Sequence, residues 1–129
     1  MKGNNLVILR GNLGSDPDVR PVAGDTLVEL SLATHAHWRD AKGILQERTD
    51  WHRITAHGST ADWAASALAR GDQLLVIGSL RPRTWRQPDG DQRTAVVVRA
   101  WEIQQLSSRK ARSKTQGAVV GSTSVAIHK

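Results

Sequence analysis

The chain has 129 residues, 18 Lys and Arg against 12 Asp and Glu, no Cys, and an aromatic set of five Trp with neither Phe nor Tyr. A hydrophobic share of 39% is ordinary for a folded chain and excludes wholesale disorder, and the length makes one domain the default. The missing Cys removes disulfides, thiol nucleophiles and Cys-ligated zinc. No apolar stretch approaches the roughly 20 residues that span a bilayer, and no signal-like segment opens the chain, so cytoplasmic residence is expected.

The net charge of +6 is unevenly spread. Residues 1–106 hold 13 of the basic residues and all 12 acidic ones, whereas 107–129 carry Arg109, Lys110, Arg112, Lys114 and Lys129 with no acid. The body is nearly neutral, so an argument for an anionic partner needs a local basic surface.

In chain order, residues 5–13 read as a strand ended by the turn formers Gly14-Ser15-Asp16-Pro17, and a loop then reaches Gly24-Asp25. From Thr26 to Thr34 a second strand alternates, with Val28, Leu30 and Leu32 on a core face. A loop carrying Trp38 to Gly43 precedes a third strand, Arg48 to His57, in which Trp51, Arg53 and Thr55 share the polar face and His52, Ile54 and Ala56 the other. Ser59 is an N-cap signal for a short helix running to Arg70 and stopped at Gly71. A fourth strand, Leu74 to Leu80, runs on through Arg86 to a hairpin turn at Pro88-Asp89-Gly90, and the return strand spans Arg93 to Leu106. After that the composition cannot bury enough apolar area to order itself, which predicts a solvated tail over 107–129. Three strands, one helix and two strands suit an all-β, five-stranded barrel of the oligonucleotide-binding (OB) type with extended hairpin loops.

The chemistry lies where Trp meets Arg. Alternation over 81–86 puts Arg81, Arg83 and Trp85 on one face; Trp51 and Arg53 repeat the pairing, and Trp38 is followed by Arg39. Indole faces stack on unpaired bases while neighbouring Arg meets phosphate, and duplex bases, already stacked, would gain little. Trp63, at core-facing spacing with Ala64, Ala67 and Leu68, is expected in the core, and Trp101 in the core or a subunit interface. His35 and His37 share a strand face but have no third ligand at a recognisable spacing, so no metal or other cofactor is expected. The Asp16/Asp18 and Asp89/Asp91 pairs bracket turn formers, and no Gly-x-Ser-x-Gly elbow is present. A metal-dependent single-strand nuclease is the competing reading from another class, and nothing argues strongly for an enzyme.

With these residues in view, the chain resembles the bacterial single-stranded DNA-binding protein family. The matching stretches are Asn5 to Leu9 with Gly11 to Gly14, Asp16 to Arg20, Leu32-Ala33-Thr34 with Trp38-Arg39-Asp40, Thr49 to Arg53, and Leu80-Arg81-x-Arg83-x-Trp85. The resemblance covers residues 1–106 and implies an OB-fold domain there, a separate tail over 107–129, and a homotetramer that wraps single-stranded DNA in replication, recombination or repair, in the bacterial cytoplasm at the nucleoid. By position it makes Trp38, Trp51 and Trp85 base-stacking platforms, with His57 where the family stacks a Phe. Arg39, Arg53, Arg81, Arg83 and Arg86 become phosphate contacts, with Lys2 and Arg20 near family basic positions, and His52 falls at a subunit interface. A basic position in the first strand reads Leu6 here, and the family's acidic, Phe-terminated recruiting tip has no counterpart in a tail that ends Val125 to Lys129. A primosome-type accessory protein of the same fold, a dimer, is the runner-up.

Overall fold

A computed structural model describes residues 3–109. The elements are β1 (Val7–Leu13), β2 (Asp18–Val22), β3 (Asp25–Arg39), β4 (Leu45–His57), α1 (Gly58–Ala67), β5 (Gln73–Arg86) and β6 (Gln92–Ser107). β5 lies between β1 and β6, β6 pairs β4, β4 pairs β3, and β3 returns to β1 through Asn12↔Ala33 and Leu13↔Leu32. These five strands close a barrel of the OB type. The β4–β6 contact is parallel and short, Ile54↔Val98 and Thr55↔Arg99, and the remaining pairs are antiparallel.

Alternation decides what fills the barrel. Val28, Leu30 and Leu32 from β3 meet Ile54 and Ala56 from β4, Leu74 and Val76 from β5, and Val98, Ala100 and Ile103 from β6. Ala61, Ala64 and Leu68 of α1 and its exit join this core, and Trp63 packs half-buried against it, as expected. Gly78 lies where β5 crosses a bulge in β6; a Cβ there would strike the Arg99 carbonyl, so only hydrogen fits the approach. Asp72, fully buried before β5, accepts hydrogen bonds from Ala69 N (2.9 Å), Gln105 Nε2 (2.9 Å) and Arg109 N (2.9 Å).

Several local expectations are corrected. Asp18–Val22, read as loop, is a strand along β3; it is exposed throughout and contains Pro21, so it has no apolar alternation to betray it. Trp38, expected in a loop, lies on β3, because the β3–β4 ribbon continues well past the core and leaves only residues 40–44 for its turn. The helix stops at Ala67, not Arg70, and its N-cap is His57, with no side-chain cap from Ser59. β6 runs to Ser107, one residue past the expected strand end; tail residues beyond 109 lie outside the described residues. Among the described residues, no helix is long and apolar enough to cross a membrane.

Candidate nucleic-acid interface

Burying Ile54 and Ala56 forces their neighbours outward. Trp51, Arg53, Thr55 and His57 therefore face away from the core, opposite Ala33, Ser31, Glu29 and Leu27 of β3. Trp51 is 62% exposed, an unfavourable position for an indole unless something covers it. The benzo edge of its ring rests on Gly14 at the end of β1, so closely that a Cβ at 14 would overlap Cζ3. Gly14→Ala is expected to push the indole off its support: tryptophan emission shifts and single-strand affinity falls several-fold. Fluorescence spectra and titration of the variant check this. His57, half-buried, is the last residue of the same face; its Nδ1 is buried without a hydrogen-bond partner.

The same outer face continues across the sheet. Thr55 of β4 is level with Arg99 of β6, which pairs Ser79 of β5, and two-residue steps along β5 then bring up Arg81, Arg83 and Trp85. The expected alternation over 81–85 therefore holds, and it joins the wall that bears Trp51. Arg83 Nη1 contacts Glu29 Oε1 at 3.2 Å, drawing the β5–β6 hairpin toward β3, and Arg81 Nε donates to Ser79 Oγ at 3.2 Å. Arg86 pairs Gln92 and takes the opposite face from Trp85. Two exposed arginines were missed. Arg93 is the direct cross-strand neighbour of Trp85, and Arg99 sits between Thr55 and Ser79. Counting outward from the three-residue turn Pro88-Asp89-Gly90 pairs 85 with 93, so the signal for Arg93 was present.

Trp38 is set apart. It pairs Gln46 and shares parity with Thr34 and Leu32, so it occupies the ribbon face opposite Trp51. Arg39 takes the Trp51 side and donates to the Gly43 carbonyl at 2.9 Å. The turn between them is organised by Asp40, whose carboxylate accepts from Ile44 N (2.9 Å), Lys42 N (2.9 Å) and Gln46 Nε2 (3.1 Å). Donation from Ile44 above all, then Lys42 and Gln46, holds Asp40 below its ordinary pKa. A depressed carboxylate contributes its stability above the unfolded pKa and loses it as pH falls through the folded one, so this turn is set throughout the neutral range.

Of the remaining candidates, Arg20 on β2 is held by Asp18 at 2.8 Å, and that hydrogen bond with its charge raises the guanidinium above its usual value. Lys2 lies outside the described residues. His52 points to the side opposite Trp51 and its Nε2 meets Thr34 Oγ1 at 2.8 Å. His35 meets Thr49 Oγ1 at 3.0 Å and His37 meets Glu47 at 3.4 Å; no group of three or more such side chains among the described residues is arranged to hold a metal. Trp101 is not in the core: it is 56% exposed. It is the extra residue of the β6 bulge, between Glu102, opposite Ile77, and Ala100, opposite Gly78. The bulge shifts the inward phase from Val98 and Ala100 to Ile103, which simple parity cannot follow.

Comparison with known proteins agrees with this architecture. The chain is 38% identical over 119 residues to a Chlorobaculum tepidum protein named single-stranded DNA-binding protein 1, covering 91% of this chain and 74% of that one. Among solved structures it resembles a Plasmodium falciparum SSB in complex with single-stranded DNA, with a TM-score of 0.74, 31% identity, and coverage of 78% of this chain and 89% of that one. It also resembles a deletion mutant of the Thermus aquaticus single-stranded DNA binding protein, with a TM-score of 0.74, 33% identity, and coverage of 83% of this chain but 52% of that one. The model of the single-strand binding protein family matches residues 4–106, the whole of the barrel, and the chain belongs to that family.

Proposed function

We propose that the chain binds single-stranded DNA with little regard to sequence, stacking bases on exposed indoles and meeting phosphates with arginines, and that it protects unwound strands in replication, recombination or repair. The observation that carries this reading is the shared outer face of Trp51 and Trp85 with Arg53, Arg81, Arg83 and Arg93 beside them. Arg39 extends it along the ribbon, Trp38 adds an indole on the ribbon's other face, and His57, Arg20, Arg86 and Lys2 are assigned lesser parts. Family membership and the naming of its relatives support binding, not catalysis. Residues 1–106 are the binding domain and 107–129 a basic appendage, and the site of action is the bacterial nucleoid.

Self-association belongs to the same reading. Ile8 is level with Ile77, which is beside the Trp101 bulge, and Leu6, Ile8 and Trp101 are all more than half exposed. Such a patch suits burial in a homotetramer, and His52 is assigned to a second contact between copies. Native mass spectrometry is expected to give a tetramer; a dimer would favour the primosome-type reading.

Titration of the intrinsic fluorescence with oligo-dT is expected to give strong quenching, and duplex DNA little. Absence of quenching by oligo-dT at moderate salt overturns the proposal. Each phosphate contact on a single strand adds about 0.7 to the log–log salt dependence of affinity, so Arg53→Ala and Arg93→Ala should each flatten that slope by about this amount. Slopes equal to that of the unaltered protein would remove those two arginines from the interface.

A further inference from the structure

The face of the β3–β4 ribbon that carries Trp51 continues past it for three more rungs, His35↔Thr49, His37↔Glu47 and Arg39↔Leu45. Each two-residue step advances about 7 Å, so a strand stacked on Trp51 and heading for the tip of the ribbon passes all three. Arg53 precedes Trp51 on this face and Arg39 ends it; between these two arginines the only side chains that can carry charge are His35, His37 and Glu47. With neutral imidazoles that stretch is negative and repels a phosphate. With protonated ones it is positive. Little else reaches it: Arg48 and Asp50 pair with each other at 3.1 Å on the opposite face, and β2 and β6 pair other parts of the two strands, at Asp25–Glu29 and at Ile54 and Thr55. β1 meets β3 at Asn12↔Ala33 and Leu13↔Leu32, and the nearest cation it offers is Arg10, two residues from Asn12.

The two histidines differ in what holds them. His37 faces Glu47 at 3.4 Å, so a proton on its ring is answered at once by a carboxylate. His35 has no acidic partner: it and Thr49 are both exposed, its Nδ1 meets Thr49 Oγ1 at 3.0 Å, and its Nε2 has no hydrogen bond among the described residues. A hydroxyl donates or accepts, so Thr49 suits the ring in either charge state. In the charged ring both nitrogens donate; Nδ1–H goes to Thr49 and Nε2–H is left as a charge-assisted donor with nothing of the protein to receive it. We propose that His35, steadied by Thr49, is a phosphate-binding residue on the path between Trp51 and Arg39, engaged through Nε2–H and strengthened by protonation. The inference rests on the single-strand-binding reading above and adds to it a contact that the reading itself does not require. Imidazole changes charge between about pH 5 and 8, so the contact is weak in mildly alkaline solution and strong in mildly acid solution. Because the protonated ring holds the phosphate better, a proton is taken up with the strand and affinity climbs as pH falls.

The test is anisotropy of a labelled oligo-dT with the full chain, at about pH 8 and about pH 5.5 over a range of salt. Thymine takes up no proton in this interval, so the strand itself stays constant. Each variant is compared with the unaltered chain at the same pH, because the other histidines titrate in both. His35→Ala should bind nearly as tightly as the unaltered chain at the higher pH, but roughly two- to fivefold less tightly at the lower one, the range of one exposed ion pair. Its log–log salt slope should fall short by about 0.7 at the lower pH only. His35→Lys, charged at both pH values, should bind more tightly than the unaltered chain at the higher pH and about equally at the lower. Thr49→Val keeps the imidazole without its hydroxyl and should lose part of the same gain. All three positions are exposed ribbon sites, and melting temperatures equal to that of the unaltered chain guard against a folding defect. A ratio of affinities between His35→Ala and the unaltered chain that is the same at both pH values refutes the proton-dependent contact. Failure of the unaltered chain to bind oligo-dT at either pH overturns the single-strand-binding reading itself, and the contact with it.

Discussion

Trp51→Ala and Trp85→Ala each weaken binding to oligo-dT by roughly 5- to 150-fold, the equivalent of about 1–3 kcal/mol for one lost stacking platform. The expectation follows from where the indoles stand. Trp51 is 62% exposed and Trp85 40%, and neither belongs to the buried cluster that holds the barrel together. Truncating them should therefore leave folding stability within about 1 kcal/mol of its starting value. Trp63→Ala supplies the opposite case, because that indole packs on the core: the variant should melt earlier while its folded fraction binds normally. Trp38→Ala is expected to cost less than Trp51→Ala on short oligonucleotides, since its face of the ribbon is reached only by a strand that passes around the edge. Fluorescence titration is compromised when a reporter is removed, so anisotropy of a labelled oligonucleotide is the appropriate measurement. Unchanged affinity in both Trp51→Ala and Trp85→Ala would exclude base stacking at these positions.

How much of this was legible beforehand depended on whether a residue's role was local. The inward faces of β3 and β4 were readable because Val28, Leu30, Leu32, Ile54 and Ala56 alternate with polar neighbours, and that alternation alone turns Trp51 and Arg53 outward. The run Arg81, Arg83, Trp85 was readable for the same reason. β2 was not, because an exposed edge strand carrying Pro21 is held by hydrogen bonds to β3 and has no pattern of its own. The core alternative for Trp101 failed for a different cause: one inserted residue in β6 reverses parity, and bulges have no reliable signature in sequence. The ion pair of Glu29 with Arg83 needed the fold outright. Asp18 and Glu29 are partners across the β2–β3 hairpin, and Arg83 arrives from a hairpin 54 residues later in the chain. The resemblance to the family nominated the platforms by position, but the opposition of Trp38 and Trp51 emerges only once the ribbon's register is known.

The largest effect on stability is expected from Asp72→Ala, at a residue that the sequence reading did not single out. Its carboxylate is 1% exposed and gathers three donors from three places: Ala69 N after the helix, Gln105 Nε2 on β6, and Arg109 N beyond the end of β6. Its backbone does similar work, accepting from Leu13 N at 2.9 Å and donating to Ala69 O at 3.1 Å, so one residue ties the ends of β1, α1 and β6 to the start of β5. Removing the side chain strands the amides of Ala69 and Arg109 and leaves the Gln105 carboxamide only its longer bond to the Ala67 carbonyl at 3.4 Å. Each buried donor left unsatisfied costs about 1–3 kcal/mol. Some water will enter the vacated space, so a total loss of about 3–5 kcal/mol is expected, a large part of the 5–15 kcal/mol that typically holds a domain together. Asp72→Asn keeps the shape and one acceptor oxygen but turns an NH2 toward the remaining donors, and should fall between the two, losing about 1–3 kcal/mol. Urea unfolding provides the measurement, read as a midpoint shift at unchanged slope. The order Asp, then Asn, then Ala is the signature of acceptor count; an Ala variant as stable as the original would show that these three hydrogen bonds contribute nothing net to the fold.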